Sequence, residues 1–218
     1  LCAAFKLELR EYIPDKVKLI YDHPLTVKPL KFNAYVIDLD DDTNTKKDCV
    51  QEIKISNKML VIKVKSGVDI KKSFARNFKK HNLVEYKNPN VPVSIFDYHK
   101  TLGYGLMYSV TERKINVTTT TLITKNNRNL IDELQRSPFG IKLESPGIYI
   151  VEKSEIKSQI IVLDELPEDE NLWITSLRND LNAAQLKRVH VETAPYKNDP
   201  LITKYLDVII KANFETRQ

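Results

Sequence analysis

Glycine is scarce in this chain, with five in 218 residues. Loops that cradle nucleotide phosphates need clustered glycines for close backbone approach, so the scarcity argues against a site of that kind. Cysteine is scarcer. Cys2 and Cys49 form neither a metal-ligand spacing nor a disulfide framework, and reduced thiols in a cytoplasmic protein are the expectation. No apolar run approaches the length of a membrane span, and the start lacks the layout of a signal peptide. There is no Gly-x-Ser-x-Gly elbow, and the four histidines make no metal pattern. Asn116-Val117-Thr118 fits a glycosylation acceptor, which has no meaning without secretion.

What is present describes a soluble globular protein. Hydrophobic residues make up 42% and charged residues 29%, enough apolar material for one sizeable domain or one domain with a small extension. A net charge of +5 and a pI near 9.0 agree with a polyanionic partner without requiring one. Leu1 already lies inside a helical pattern, so residues upstream of it are expected.

Helical and extended patterns alternate along the chain. Ala3, Ala4 and Leu7 beside Lys6, Glu8, Arg10 and Glu11 predict an amphipathic helix over 1–12, ended by Pro14. Residues 30–39, LKFNAYVIDL, read as a strand, followed by a polar break at Asp40-Asp41-Asp42. Residues 50–56 and 59–65 alternate about Ser56-Asn57-Lys58 and predict a hairpin. A helix is expected over 69–80, with Lys72, Arg76, Lys79 and Lys80 on one face and Ile70, Phe74 and Phe78 opposite. Ile95, Tyr98, Leu102 and Leu106 mark a helix to about Tyr108. Further on come a strand near 115–124, a helix near 127–136 and strands near 147–152 and 157–163. A helix through Trp173 and Leu181 follows, and a last one spans 200–213. The mixture argues for an α/β class.

Between the second and third of those helices lies Leu83-Val84-Glu85-Tyr86-Lys87. Side chains two apart on a strand share a face, so Glu85 and Lys87 point the same way. Glu-x-Lys pairs are common on solvated strands. Phosphodiester hydrolysis uses the same two groups, a carboxylate to hold a hard cation and a lysine to orient water or offset developing charge.

Several segments, taken in order, resemble the PD-(D/E)XK nuclease superfamily, in particular bacterial transposase-associated or recombination-promoting nuclease-like proteins. They are Leu7-Glu8-Leu9-Arg10-Glu11-Tyr12, then Lys28-Pro29-Leu30-Lys31-Phe32-Asn33, then Phe78 through Lys87. Tyr98-His99-Lys100-Thr101-Leu102-Gly103-Tyr104, Pro146-Gly147-Ile148-Tyr149 and Glu165 through Trp173 continue the series. The likeness covers most of the chain, with a longer insertion at about 40–68. It implies a mixed sheet flanked by helices, a nuclease-like α/β domain over 1–165 and a helical C-terminal extension over 166–218 packed on it. It also implies magnesium or manganese held by Glu8, Asn33 and Glu85, with Lys87 as the catalytic lysine and Glu11 as a fallback for Glu8.

At Asn33 the chain departs from the family, which has an aspartate there. An amide brings no negative charge and holds a hard divalent ion more weakly. Asp38 lies an odd five residues away on the opposite face, and Asp40, Asp41 and Asp42 fall in the loop beyond. Lys72, Arg76, Lys79, Lys80 and Lys100 are candidates for tracking DNA phosphates, against a plainly solvated face. Histidine at position 81 reads as a surface or capping residue. Two functions stay open: a magnesium-dependent DNA endonuclease of transposition or recombination, with a homodimer suited to cutting both strands, or a non-catalytic relative that binds DNA or protein.

Overall fold

The computed structural model describes residues 1–20, 59–126 and 128–215. In chain order the elements are α1 (Cys2–Glu8), β1 (Val17–Ile20), β2 (Leu60–Val64), β3 (His81–Tyr86), α2 (Ile95–Thr111), β4 (Thr118–Thr124) and α3 (Arg128–Arg136). After them come β5 (Ile141–Ser145), β6 (Ile148–Val151), β7 (Lys157–Val162), α4 (Leu172–Thr175), α5 (Ala183–Thr193) and α6 (Pro200–Glu215). Among the described residues seven strands form one mixed sheet in the order β1-β2-β3-β4-β7-β6-β5. The central trio β3, β4 and β7 is parallel, and the outer strands join it antiparallel. Helices cover both faces, and the fold is α/β.

The period-two alternation of the strands divides the core. Leu122, Ile160 and Val162 pack with Tyr98 and Leu102 of α2 and with Leu130 and Leu134 of α3. Leu83 and Val61 meet Tyr104 and Tyr108 of α2 on the same side. Their sequence neighbours Val84, Ile123 and Ile161 point the other way, into a cluster with Phe5 and Leu7 of α1, Trp173 and Ile174 of α4, and Ile202, Tyr205 and Ile209 of α6. Residues beyond 165 thus share a core with the first helix and the sheet. Each fully buried Leu, Ile or Val adds about 1.5–3 kcal/mol relative to exposure.

Strands buried on both faces are usually apolar runs, yet β4 opens Thr118-Thr119-Thr120-Thr121, all buried. The Thr118 hydroxyl donates to the Lys114 carbonyl at 2.8 Å, and cross-strand partners satisfy the other three. Thr119 donates to Asn82 Oδ1 at 2.6 Å, Thr120 pairs with Ser158 at 2.7 Å, and Thr121 accepts from Gln159 at 3.0 Å.

Three expected helices are cut short. The one over 1–12 ends at Glu8, beyond which the N–H groups of Arg10 and Tyr12 close only three residues back, on Leu7 and Leu9. Over 69–80 only Ser73–Ala75 forms, as a 3-10 turn. The buried amide of Gln159 donates to the Phe74 carbonyl at 2.8 Å, so Phe78 N–H closes on Ala75 instead. The basic side chains therefore do not form a helical stripe. Likewise the helix through Trp173 stops at Thr175. The Trp173 carbonyl, which Leu177 N–H would take in a continuing helix, accepts from the Ser176 hydroxyl at 2.7 Å and from the Tyr205 hydroxyl of α6 at 3.3 Å, and Leu177 N–H closes on Ile174 instead. Strands β1 and β5 and helix α5 are additions to the expected set. Residues 30–39 and 50–56 lie outside the described residues; β2, expected in a hairpin with the latter, pairs with β1 and β3. Among the described residues no helix is long and apolar enough to cross a membrane.

Two glycines on α2 make the packing testable. A Cβ at Gly105 would overlap the methyl of buried Thr120, whose hydroxyl is held by Ser158; a Cβ at Gly103 would meet nothing within 4 Å. Gly105→Ala should lower the unfolding free energy by about 1–3 kcal/mol. Gly103→Ala should raise it by about 0.5–1 kcal/mol, both read from urea unfolding.

Candidate functional site

β3 begins at an anchored amide. Asn82 is fully buried and uses all four of its hydrogen-bonding positions. Its nitrogen donates to the carbonyls of Ile62 and Lys79, and its oxygen accepts from Lys79 N–H and the Thr119 hydroxyl. From there the strand runs parallel to β4, and Lys87 N–H continues the ladder onto the Ile123 carbonyl at 2.9 Å. The parity that sends Leu83 towards α2 sends Glu85 and Lys87 the same way.

Helix α2, the crossover from β3 to β4, starts over that strand end. Ser94 and Asp97 close its first turn as a capping box, with Ser94 N–H donating to Asp97 Oδ2 at 3.0 Å. This leaves Asp97 Oδ1 facing Lys87 Nζ at 2.9 Å, while Glu85 Oε1 lies 2.7 Å from the same ammonium. One turn on, Thr101 donates to Glu85 Oε2 at 2.7 Å. Side-chain exposures of 14% for Glu85, 15% for Lys87 and 27% for Asp97 put the cluster at the rim, reachable but largely desolvated. Burial works against the charge on Lys87, but its hydrogen bonds to Glu85 and Asp97 and their charges outweigh burial and hold its pKa above the ordinary lysine value. For Asp97, burial pushes upward, and the Lys87 and Ser94 bonds overcome it to hold the carboxyl below the usual range. The arrangement is two carboxylates from separate elements joined through one ammonium at the carboxyl end of a parallel pair, where open α/β sheets place their ligand sites.

Glu8 is elsewhere. On the opposite face of the sheet its carboxylate accepts from the backbone N–H groups of Trp173 (2.8 Å) and Ile174 (3.3 Å) and from Lys72 Nζ (2.8 Å). It serves as a capping acid for α4, borrowed from 165 residues away. The expected meeting of Glu8 with Glu85 is not made, because α1 packs on the Val84 face and Glu85 lies on the Leu83 face. Glu11, the fallback, is exposed on the Glu8 side. Asn33, Asp38, Asp40, Asp41 and Asp42 lie outside the described residues. Among the described residues no three His, Cys, Asp or Glu side chains converge.

The basic candidates separate. Lys72 is tied to Glu8 and to the Glu170 carbonyl, and Lys79 donates to the Asn116 carbonyl at 3.0 Å. Arg76 and Lys80 are exposed. Lys100, exposed on α2, holds its ammonium 5.6 Å from the centre of the Tyr104 ring.

Asp97 and Thr101 escaped the sequence reading. Their signal was present: Ser94-x-x-Asp97 at a helix start, and a four-residue step that puts Asp97 and Thr101 on one face. A second charged group at the same sheet edge was equally silent. Lys125 pairs with Asp180 at 2.9 Å, and the Arg178 guanidinium lies 3.8 Å from Asp164 and from Glu168. Burial, helped by the Asp180 charge, raises the Asp164 carboxyl against Lys125 and Arg178. A cleft of about 600 Å3 opens on the Tyr86 side of the β3 end, lined by Tyr86, Asn90, Leu177, Tyr205 and Val208. It does not reach Glu85, Lys87 or Asp97.

The fold and this cluster define an α/β protein with a lysine-bridged pair of carboxylates at the carboxyl edge of its sheet. Compared with protein-family models, curated proteins and solved structures, the chain finds no match.

His81, expected at the surface or a cap, is buried and bonded at 2.6 Å to the Tyr108 hydroxyl. Burial lowers its pKa, reinforced by Lys63, Lys114 and Lys80 against Glu112. Below about pH 6.5 the unfolded chain therefore binds a proton that the fold refuses, and stability falls as pH drops. His81→Gln should flatten the decline in unfolding free energy between about pH 7 and pH 5, measured by urea titration. Glu8→Gln removes the charge that its backbone and Lys72 donors bind and should cost about 1.5–3 kcal/mol by the same measurement.

Proposed function

We propose that this chain is a PD-(D/E)XK nuclease-like protein of the cytoplasm that hydrolyses DNA phosphodiesters with magnesium or manganese, in transposition or recombination. The supporting observation is the shared face of Glu85 and Lys87 at the carboxyl end of a central parallel strand, with Asp97 brought to them by the crossover helix. Glu85 offers carboxylate oxygens, the donor type a hard cation takes, but one is held by the Thr101 hydroxyl and the other by Lys87, so the described residues by themselves form no divalent-cation site. Magnesium is commonly held through one or two carboxylates together with substrate phosphates, and the family resemblance implies that Glu85 would hold it, with Asn33 as the weakened second position. When bound, the ion supplies charge neutralisation and an activated water. Lys87 places a positive charge where the phosphate develops negative charge, and burial strengthens that effect. Arg76, Lys80 and Lys100 offer exposed charge for the DNA backbone, in a homodimer if both strands are cut.

A non-catalytic DNA- or protein-binding relative is the second reading. It draws on Glu8, whose carboxylate is fully occupied on the other face of the sheet.

Nicking of supercoiled plasmid in magnesium or manganese decides between them. Activity in the parent should fall about 100-fold or more in Glu85→Gln and in Lys87→Ala, and rise in Asn33→Asp. Cleavage that Lys87→Ala leaves unchanged would sink the nuclease reading. Salt-dependent DNA binding without cleavage, weakened by Arg76→Ala with Lys80→Ala, would instead favour the binding protein.

A further inference from the structure

The cleft of about 600 Å3 beyond the carboxyl end of β3 lies on the Tyr86 face of the sheet, away from Glu85 and Lys87. Open α/β sheets take their ligands outside the carboxyl ends of their strands, and small-molecule sites hold roughly 300–1,000 Å3. Its walls are apolar. Helix α6 turns Leu201, Tyr205, Val208 and Ile209 to it at steps of three and four residues, and Tyr86 and Leu177 complete the lining. Both tyrosines spend their hydroxyls on the protein. Tyr86 donates to the Leu177 carbonyl at 2.7 Å, while Tyr205 donates to the Trp173 carbonyl at 3.3 Å and bonds the Ser176 hydroxyl. What the two side chains give the cleft is therefore ring carbon. Val208, at 55% exposure, is an apolar wall left open.

The polar groups at the cleft are chiefly donors. Asn88 Oδ1 accepts from Asn90 N–H at 2.9 Å, and Asn90 Oδ1 accepts from Asn179. With their oxygens engaged, these two exposed asparagines present amide N–H groups. Lys204 is the one charged side chain among the described residues that line the cleft, and no carboxylate among the described residues pairs with it. An apolar body with a negative, acceptor-only head matches this lining. One ammonium is a point charge suited to one carboxylate. A nucleotide would instead lay its ribose and phosphates on apolar walls without partners.

We propose that this cleft binds an amphipathic monocarboxylate, its apolar body against Tyr86, Tyr205 and Val208 and its head at Lys204. The site is separate from Glu85 and Lys87, and it stands or falls independently of the nuclease reading.

The test titrates octanoate, decanoate and dodecanoate into the full chain below micelle formation. Calorimetry reads affinity, and nitrogen-15 NMR of the asparagine side-chain amides reads place. Decanoate should bind once per chain and shift the Asn88 and Asn90 amide signals. Each added methylene should tighten binding about three- to fourfold. Decanol, which has the same chain without the charge, should bind about fivefold more weakly. Lys204→Gln should weaken decanoate by about the same factor and leave decanol within about twofold, a split that a damaged fold would not produce. Val208→Trp fills the cleft from an exposed position and should remove binding of both, with Leu201→Trp as the second blocking variant. A parent that binds no decanoate overturns the proposal. So does decanol bound as tightly as decanoate, or decanoate binding that both tryptophan variants leave unchanged. A dimer in sedimentation that Val208→Trp splits and decanoate does not would assign the cleft to a second copy of the chain, and overturns it too.

Discussion

At the entrance to β3 the side chain of Asn82, with no exposure to solvent, binds the edge of β2, the turn at Lys79 and the first residues of β4. Four hydrogen bonds on one buried amide leave it no second arrangement of similar energy, since a slip of one residue would strand every one of them in the interior. The register of the parallel pair follows from that anchor, and with it the face on which each later side chain of the strand emerges. Three positions on, Glu85 faces α2; five positions on, Lys87 does the same. Polar pairs between Thr120 and Ser158 and between Thr121 and Gln159 extend the same logic across the sheet.

Two carboxylate systems sit on opposite sides of this sheet, one buried and one at the rim. Glu8 joins the first helix to α4 by satisfying backbone donors that a short buried helix would otherwise leave unpaired, with Lys72 balancing its charge. Glu85, by contrast, lies near solvent, and its charge is balanced by an ammonium that a second carboxylate shares. A closed ion pair that binds backbone amides is a means of assembly. A triad at the rim, its lysine shared between two carboxylates, stays within reach of solvent. That difference is why the proposed function rests on the cluster of α2 and β3 and not on the acid of α1.

Much of the fold was legible before any coordinates. The helix from Ile95, the strand through Thr124, the helix at 128–136, the strand pair near 148–162 and the final helix all announce themselves by periodicity. The failures share a cause. The 69–80 stretch and the Trp173 segment have helical spacing of apolar residues, but Gln159 and Tyr205 reach in from distant elements and bind backbone carbonyls that a longer helix would use. Local pattern carries no information about a side chain 85 or 32 residues away.

For the candidate site the division is similar. Alternation along a strand by itself put Glu85 and Lys87 on one face, since the pleat allows nothing else. Composition and spacing also sufficed to argue against glycine-built phosphate loops and cysteine metal sites. Only the tertiary structure separated Glu8 from Glu85, because which face of a sheet a helix covers is a matter of connection and packing. It also brought in Asp97 and Thr101, through a crossover helix whose first turn must lie over the end of the strand it leaves. The chain alone determined which chemistry-bearing residues share a strand face; the packing of α1 and α2 on opposite sides decided which of them meet.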